Sequence, residues 1–348
     1  MSEVGLKLSV NYRQEFLTPF FNFVQSAESF YVVGGASVGK TRILDYLEDS
    51  DVQKHYLGEK ASRLWLIRVD LDRLSTQHEP WKFFELLLNS IVLESSKHEN
   101  NAIRTDLVDL NGKVIQGHDL LLAQRFFEMA VNRLCQEFDL KLCFMLDEFD
   151  ESYKNFSRET FSQLRAVRDA NKNRVLYAIF LRSLPERLRP SRDNESFFEL
   201  FSYNKIGLGP YSKVDTLQIL QQLESRRNYP LTPAQRERLY EASGGHIGLA
   251  KACLGILIEN PQALQSIGTA GWLDWFGRQP ANIEECRKIW DGLDQDEKDS
   301  LLAFATGDQS KISIDATKLL FMKGLLHTSD TGNSFFSPVF GQYVHTQA

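Results

Sequence analysis

Residues 30–41 read Phe-Tyr-Val-Val-Gly-Gly-Ala-Ser-Val-Gly-Lys-Thr, and few folds accommodate all of it. The β-branched and aromatic run predicts a buried strand, and the apolar spacing of Ile43, Leu44 and Leu47 predicts a helix just beyond. Between them lies Gly34-x-x-x-x-Gly39-Lys40-Thr41. A strand that enters a helix through such a loop turns successive backbone N–H groups inward and aims the positive helix end at the same point. The result is a cradle for phosphate. Gly34, Gly35, Ala36, Ser37, Val38 and Gly39 form the loop, and Arg42 follows at the helix start. Lys40 places an ammonium against β- and γ-phosphates, and the Thr41 hydroxyl suits a Mg²⁺ that bridges them. The expected ligands are ATP or ADP with Mg²⁺; ATP and GTP are not distinguished by these residues.

A second signature is Leu142-Cys143-Phe144-Met145-Leu146-Asp147-Glu148, an apolar strand ending in two acids. Asp147 is assigned to the metal, and Glu148 to the water that attacks the γ-phosphate, as general base. Arg182 follows the next apolar run, where it is expected to report on a γ-phosphate. Arg165 and Arg168 read as a solvated helix face, with service as arginine fingers to a neighbouring subunit as the alternative.

Apolar segments at 30–34, 63–70, 141–147, 175–181 and 204–208 predict five parallel strands, with helical patterns such as 119–138 between them. One strand candidate separates the two motifs in sequence, which favours the P-loop class with an added central strand. The fold class expected is α/β: a P-loop NTPase with a five-stranded parallel sheet, then a small helical subdomain and a winged helix. The polar stretch 95–117, with its Asn-Gly pair, predicts a surface excursion with a short hairpin around Leu107 to Val114.

Beyond Gly209-Pro210 the pattern turns helical, at Thr216 to Leu223, Pro233 to Ala242 and Gly248 to Ile258, with Thr232 as a cap ahead of Pro233. Residues 261–282 read as a Pro- and Gly-punctuated connection. Helices are expected at Glu284 to Trp290, Asp294 to Ala305 and Ile314 to Lys323. A turn at Ser329 to Asn333, a strand at Ser334 to Phe336 and a last helix complete a winged helix. The resulting organisation is an α/β domain at 1–210, a helical lid at 211–265, and a linker with winged helix at 266–348.

Composition narrows the partners. The formal net charge is −6, and residues 283–348 carry ten acids against six bases, the reverse of a module built to read DNA. Four scattered cysteines in apolar contexts read as buried thiols of a reducing compartment. The first residues lack a secretory pattern, and no apolar run is long enough to span a bilayer, so a cytoplasmic protein without membrane contact is expected.

In the order of these motifs the chain resembles the STAND branch of AAA+-related ATPases, notably those with an archaeal ATPase-like nucleotide domain followed by a winged helix. Val10-Asn-Tyr-Arg13-Gln-Glu15 is similar to that family's adenine-side motif, with Tyr12 where glycine is usual. The resemblance implies an adenine-side role for Arg13. Pro210 resembles the family's proline after the last strand, and Ser243-Gly244-Gly245-His246-Ile247-Gly248-Leu249 resembles its helical-subdomain motif, with Ile247 where proline is usual. His246 is thereby assigned near the nucleotide, a capping residue being the alternative.

The resemblance implies a switch ATPase with slow hydrolysis, signalling to a separate protein partner and forming nucleotide-dependent homo-oligomers, with bacterial stress response or antiviral defence as its setting. A DNA-engaging ATPase similar to replication initiators or transposition regulators is the alternative, with nucleic acid a partner not favoured by the charge. A module that holds nucleotide without turnover is the third reading.

Overall fold

The computed structural model describes residues 8–74, 79–98, 101–189, 195–201, 203–262, 268–308, 312–329 and 332–348. The extreme N-terminus, Asp330 and Thr331 of the expected turn, and 263–267 of the expected connection lie outside them. The chain forms two compact units: residues 17–33 with 44–206, and residues 1–16 with 34–43 and 207–348.

The first unit is built on a five-stranded sheet, β1 (Phe30–Gly34), β2 (Leu64–Asp70), β3 (Lys141–Asp147), β4 (Val175–Leu181) and β5 (Lys205–Leu208), in the order β2-β3-β4-β1-β5. β1 pairs in parallel with β4, β4 with β3, and β3 with β2. Strand β4 thus stands between β1 and the strand bearing the two acids, the added central strand expected from the sequence. Every residue of β1 and β4 is buried, as a parallel sheet covered on both faces requires. Each large apolar side chain so buried contributes roughly 1.5–3 kcal/mol.

Helices Pro80–Ser95, Asn101–Gly117 and Leu120–Gln136 lie between β2 and β3. The second overturns the expected excursion and hairpin. Ile103, Leu107 and Val114 are buried on one helical face, and Asn111 of the Asn-Gly pair faces the same way, bonding Asn89 at 3.4 Å. Gly112 then costs only about 1 kcal/mol of helix propensity and ends nothing.

In the second unit, helices Lys213–Arg227, Pro233–Ser243 and Ile247–Glu259 follow β5. Thr232 accepts from Gln235 N while the Gln235 side chain reaches back, with Pro233 in the first turn. Then come Gly268–Gly277, Pro280–Asp291, Gln295–Thr306 and Ile314–Met322. An antiparallel hairpin of β6 (Leu326–Ser329) and β7 (Gly332–Phe335) precedes a last helix, Pro338–His345. The connection expected at 261–282 holds a helix instead. Trp272 and Phe276, four residues apart, are both buried, and that anchoring outweighs the glycines on either side. Buried Glu297 bonds buried Lys323 at 2.6 Å and also closes the cap of its own helix.

Candidate functional site

The glycine-rich loop leaves β1 and ends at helix Lys40–Leu47. Ser37 (φ 54°) and Gly39 (φ 95°) take left-handed backbone, the alternation that turns amides inward as a nest. Gly39 has no room for more: a Cβ there would lie 2.3 Å from the Tyr211 hydroxyl oxygen. Val38 and Lys40 are buried, Thr41 is exposed, and Arg42 donates to Gln222 Oε1 at 2.5 Å. An amide nest, a helix start, one ammonium and an exposed hydroxyl form a donor set that fits a nucleotide phosphate with its divalent cation.

The loop is braced from residues far along the chain. His246 caps helix Ile247–Glu259, with ring Nδ1 accepting from Leu249 N at 3.4 Å, and Nε2 bonds the Ala36 carbonyl at 3.0 Å. Those two bonds require a neutral ring protonated at Nε2. Burial pushes the imidazole below its usual range, against the Ala36 bond and the charge of Glu285. The ring thus caps the helix, the alternative reading of His246, and also reaches the Ala36 carbonyl of the glycine-rich loop. Gly245 bonds Tyr211 through the backbone at 2.9 Å, and a Cβ on Gly244 would lie 1.8 Å from the Phe336 carbonyl oxygen. A Cβ on Gly248 would meet Glu285 Oε1 at 1.9 Å, and one on Gly292 would stand 3.4 Å from Ala36 Cβ.

Arg13, buried and at φ 58°, donates to Gly209 O at 2.9 Å and Pro210 O at 3.0 Å, and its guanidinium lies 4.1 Å from the Tyr211 ring centre. The structure thus brings together Arg13, Pro210, His246 and residues 34–42. Tyr211, Glu285, Gly292 and Phe336 join them without any local motif to mark them.

In the α/β unit, Asp147 ends β3 almost fully buried, and its Oδ1 accepts from Glu148 N at 3.0 Å. Arg68 of β2 reaches Asp147 Oδ2 at 3.6 Å and Asp45 at 2.7 Å. Glu148 takes left-handed backbone at the cap of helix Phe149–Asn155, and its Oε2 pairs with Arg182 Nη2 at 2.7 Å. The following Phe149 is fully buried against Tyr153 and Phe161, which fixes the turn that presents the glutamate. Asp150 in turn accepts from the backbone N–H of Arg182 at 3.0 Å and of Ser183 at 3.3 Å. Asp147, Glu148 and Arg182 therefore form one charged group with Arg68 and Asp150. Arg68 was detectable as a charge set within the otherwise apolar run Leu64–Val69. Arg165 bonds Asp169, Glu199 and the Ser196 carbonyl, and Arg168 bonds Asp169; both are half-buried and are engaged with acids of this unit.

No family model matches the chain, and no curated protein does. Among solved structures it is similar to a Walker-type ATPase of Pyrococcus abyssi, at 15% identity and TM-score 0.57, over 96% of this chain and 95% of that one. It is also similar to the ORC2 protein of Aeropyrum pernix in its ADP form, at 14% identity and TM-score 0.53, over 98% and 95%. The ADPNP-ADP complexes of ORC2 align at 13% identity and TM-score 0.51, over 99% and 96%. Such identities speak to the fold alone. The chain has the fold of an AAA+-related P-loop ATPase. Among the described residues, no helix is long and apolar enough to cross a membrane.

Proposed function

We propose that this protein is a regulatory ATPase whose nucleotide state sets the arrangement of its helical and C-terminal segments, and that it signals to a separate protein. The carrying observation is the bond from buried His246 to Ala36 O, which ties the start of a lid helix to the phosphate loop itself. A loop that shifts when it grips a γ-phosphate pulls on that helix, and through Gly244 and Gly248 on Phe336 and Glu285. The structural likeness to ORC2, solved with ADP and ADPNP, supports adenine nucleotide as the ligand.

In this reading the loop amides and Lys40 hold the β- and γ-phosphates, and Arg13 and Pro210 border the adenine side. Bound Mg²⁺ would neutralise charge on the phosphates, with Thr41 and Asp147 the residues assigned to hold it. Glu148 takes the proton of the attacking water, and Arg182 releases Glu148 to pair with the γ-phosphate. The last three helices, the hairpin and the closing helix are read as a winged helix that docks protein, since its acids outnumber its bases. Domains at 1–210, 211–265 and 266–348, nucleotide-dependent self-association and a cytoplasmic setting complete the proposal.

The test is hydrogen exchange on the full chain with no nucleotide, ADP, or a non-hydrolysable ATP analogue. Amides of 36–41 and 244–250 are expected to change protection together between ADP and the analogue, and Lys40→Ala to abolish the change. Exchange insensitive to nucleotide sinks the switch. Salt-sensitive retention on DNA with no protein partner would favour the initiator-like alternative.

A further inference from the structure

The α/β unit holds a second candidate site at the opposite ends of its strands. Where the chain enters β2, β3 and β4, at Leu64, Lys141 and Arg174, the surface opens into a cavity of about 460 Å³. Asp147 closes the same seven-residue β3, which sets the cavity roughly 20 Å from the acids at the usual strand rise.

The lining is strongly cationic. Lys60, Arg63, Lys141, Lys172 and Arg174 face one acid, Asp139, an excess of four positive charges (five minus one) in a chain whose formal net charge is −6. Part of this charge serves the fold. Asp139 spans two guanidiniums, reaching Arg63 with Oδ2 and Arg174 with Oδ1, each at 2.5 Å. Lys141 Nζ donates to the carbonyls of Gln25 at 2.8 Å and Val24 at 3.2 Å. Lys60 and Lys172 are not engaged in this way, since both are exposed and among the described residues neither has an ion pair. Crowding of the cations is evident at Lys141, where burial and then the charge of Lys60 hold the ammonium below the usual lysine range. Beneath the charges, Val24, Leu57, Leu64 and Leu140 form a buried apolar floor. The geometry is held at Asp139 (φ 55°) and Asn173 (φ 67°), two left-handed residues in the loops that lead into β3 and β4.

We propose that this cavity binds a small molecule that joins a dianionic phosphate ester to an apolar body. The volume is that of a small-molecule pocket rather than of a flat macromolecular interface. Arginine forks and free ammonium groups suit phosphate oxygens, and a dianion offsets more of the excess charge than a carboxylate does. The apolar floor takes the remainder of the molecule. This site is independent of the nucleotide cradle, and so is its test.

1-Naphthyl phosphate is titrated calorimetrically into the full chain, with and without saturating ADP and Mg²⁺. Saturable binding with Kd below about 1 mM is expected in both cases. In Lys60→Glu/Lys172→Glu, which changes only exposed side chains, affinity falls about tenfold or more, and uncharged 1-naphthol does not bind the wild-type protein. Absence of binding, equal affinity in the double variant, or displacement by ADP overturns the proposal. Tighter binding of a hexaglutamate peptide than of the phosphate ester also overturns it, in favour of an acidic protein segment.

Discussion

The two units hold their candidate site residues by opposite means. Around the glycine-rich loop the geometry is set by backbone and burial: a positive-φ glycine under a tyrosine hydroxyl, a buried imidazole on a carbonyl, an arginine spent on two carbonyls. At the ends of β3 and β4 it is set by charge, with Glu148 and Arg182 paired at 21% and 49% side-chain exposure. The loop's shape is built from the main chain, whereas the groups proposed to exchange partners are left on a pair that water screens.

The comparison breaks most visibly at Glu148. Glu148→Gln is expected to lower the hydrolysis rate by about 10²–10⁴-fold while leaving nucleotide affinity and melting temperature unchanged, measured by phosphate release beside calorimetry. Equal loss of binding would mean that the acids also hold the nucleotide.

Lys323→Met, in the other unit, should do the reverse. It strands buried Glu297, whose carboxyl burial already pushes upward, and should cost about 3–5 kcal/mol in chemical denaturation. Gly39→Ala forces an L side chain into left-handed backbone, at about 1–2 kcal/mol, and displaces Tyr211. Nucleotide affinity should fall by about tenfold or more in a fluorescent-nucleotide titration.

A smaller effect separates the two by pH. His246 is depressed in the folded protein, so the unfolded chain binds more protons at mildly acidic pH. The stability it contributes is complete above its unfolded value near 6.5 and is lost as pH falls below it. His246→Gln keeps a donor for Ala36 O and should flatten that part of the stability profile. Arg182→Ala should be the smallest of all in stability, under about 1 kcal/mol by thermal melting, because its pair is solvent-screened.

Legibility in the sequence followed contiguity. Residues 34–41 and 142–148 each carry their whole motif within one short stretch, so both stand out as candidates, while the five strands and the capped helix at Thr232 were readable as structure. Tyr211, Glu285 and Gly292 were not, because what makes each matter is a contact with a residue tens to hundreds of positions away. The helix Asn101–Gly117 was missed for a different reason. Its Asn-Gly pair carries the local signature of a turn, while the burial of Ile103, Leu107 and Val114 that overrides it belongs to tertiary structure. At Gly268–Gly277 two buried aromatics likewise outweigh a glycine-rich composition.

The brace on the phosphate loop also bears on how the protein is made. Ala36 and His246 are 210 residues apart, and Arg13 and Gly209 are 196 apart. During synthesis the loop therefore emerges well ahead of His246, which leaves the ribosome about 210 residues later. Until those residues are made, a nascent chain carries the glycine-rich loop without the contacts that shape it. The braced shape of the loop is thus set only once both distant segments are present.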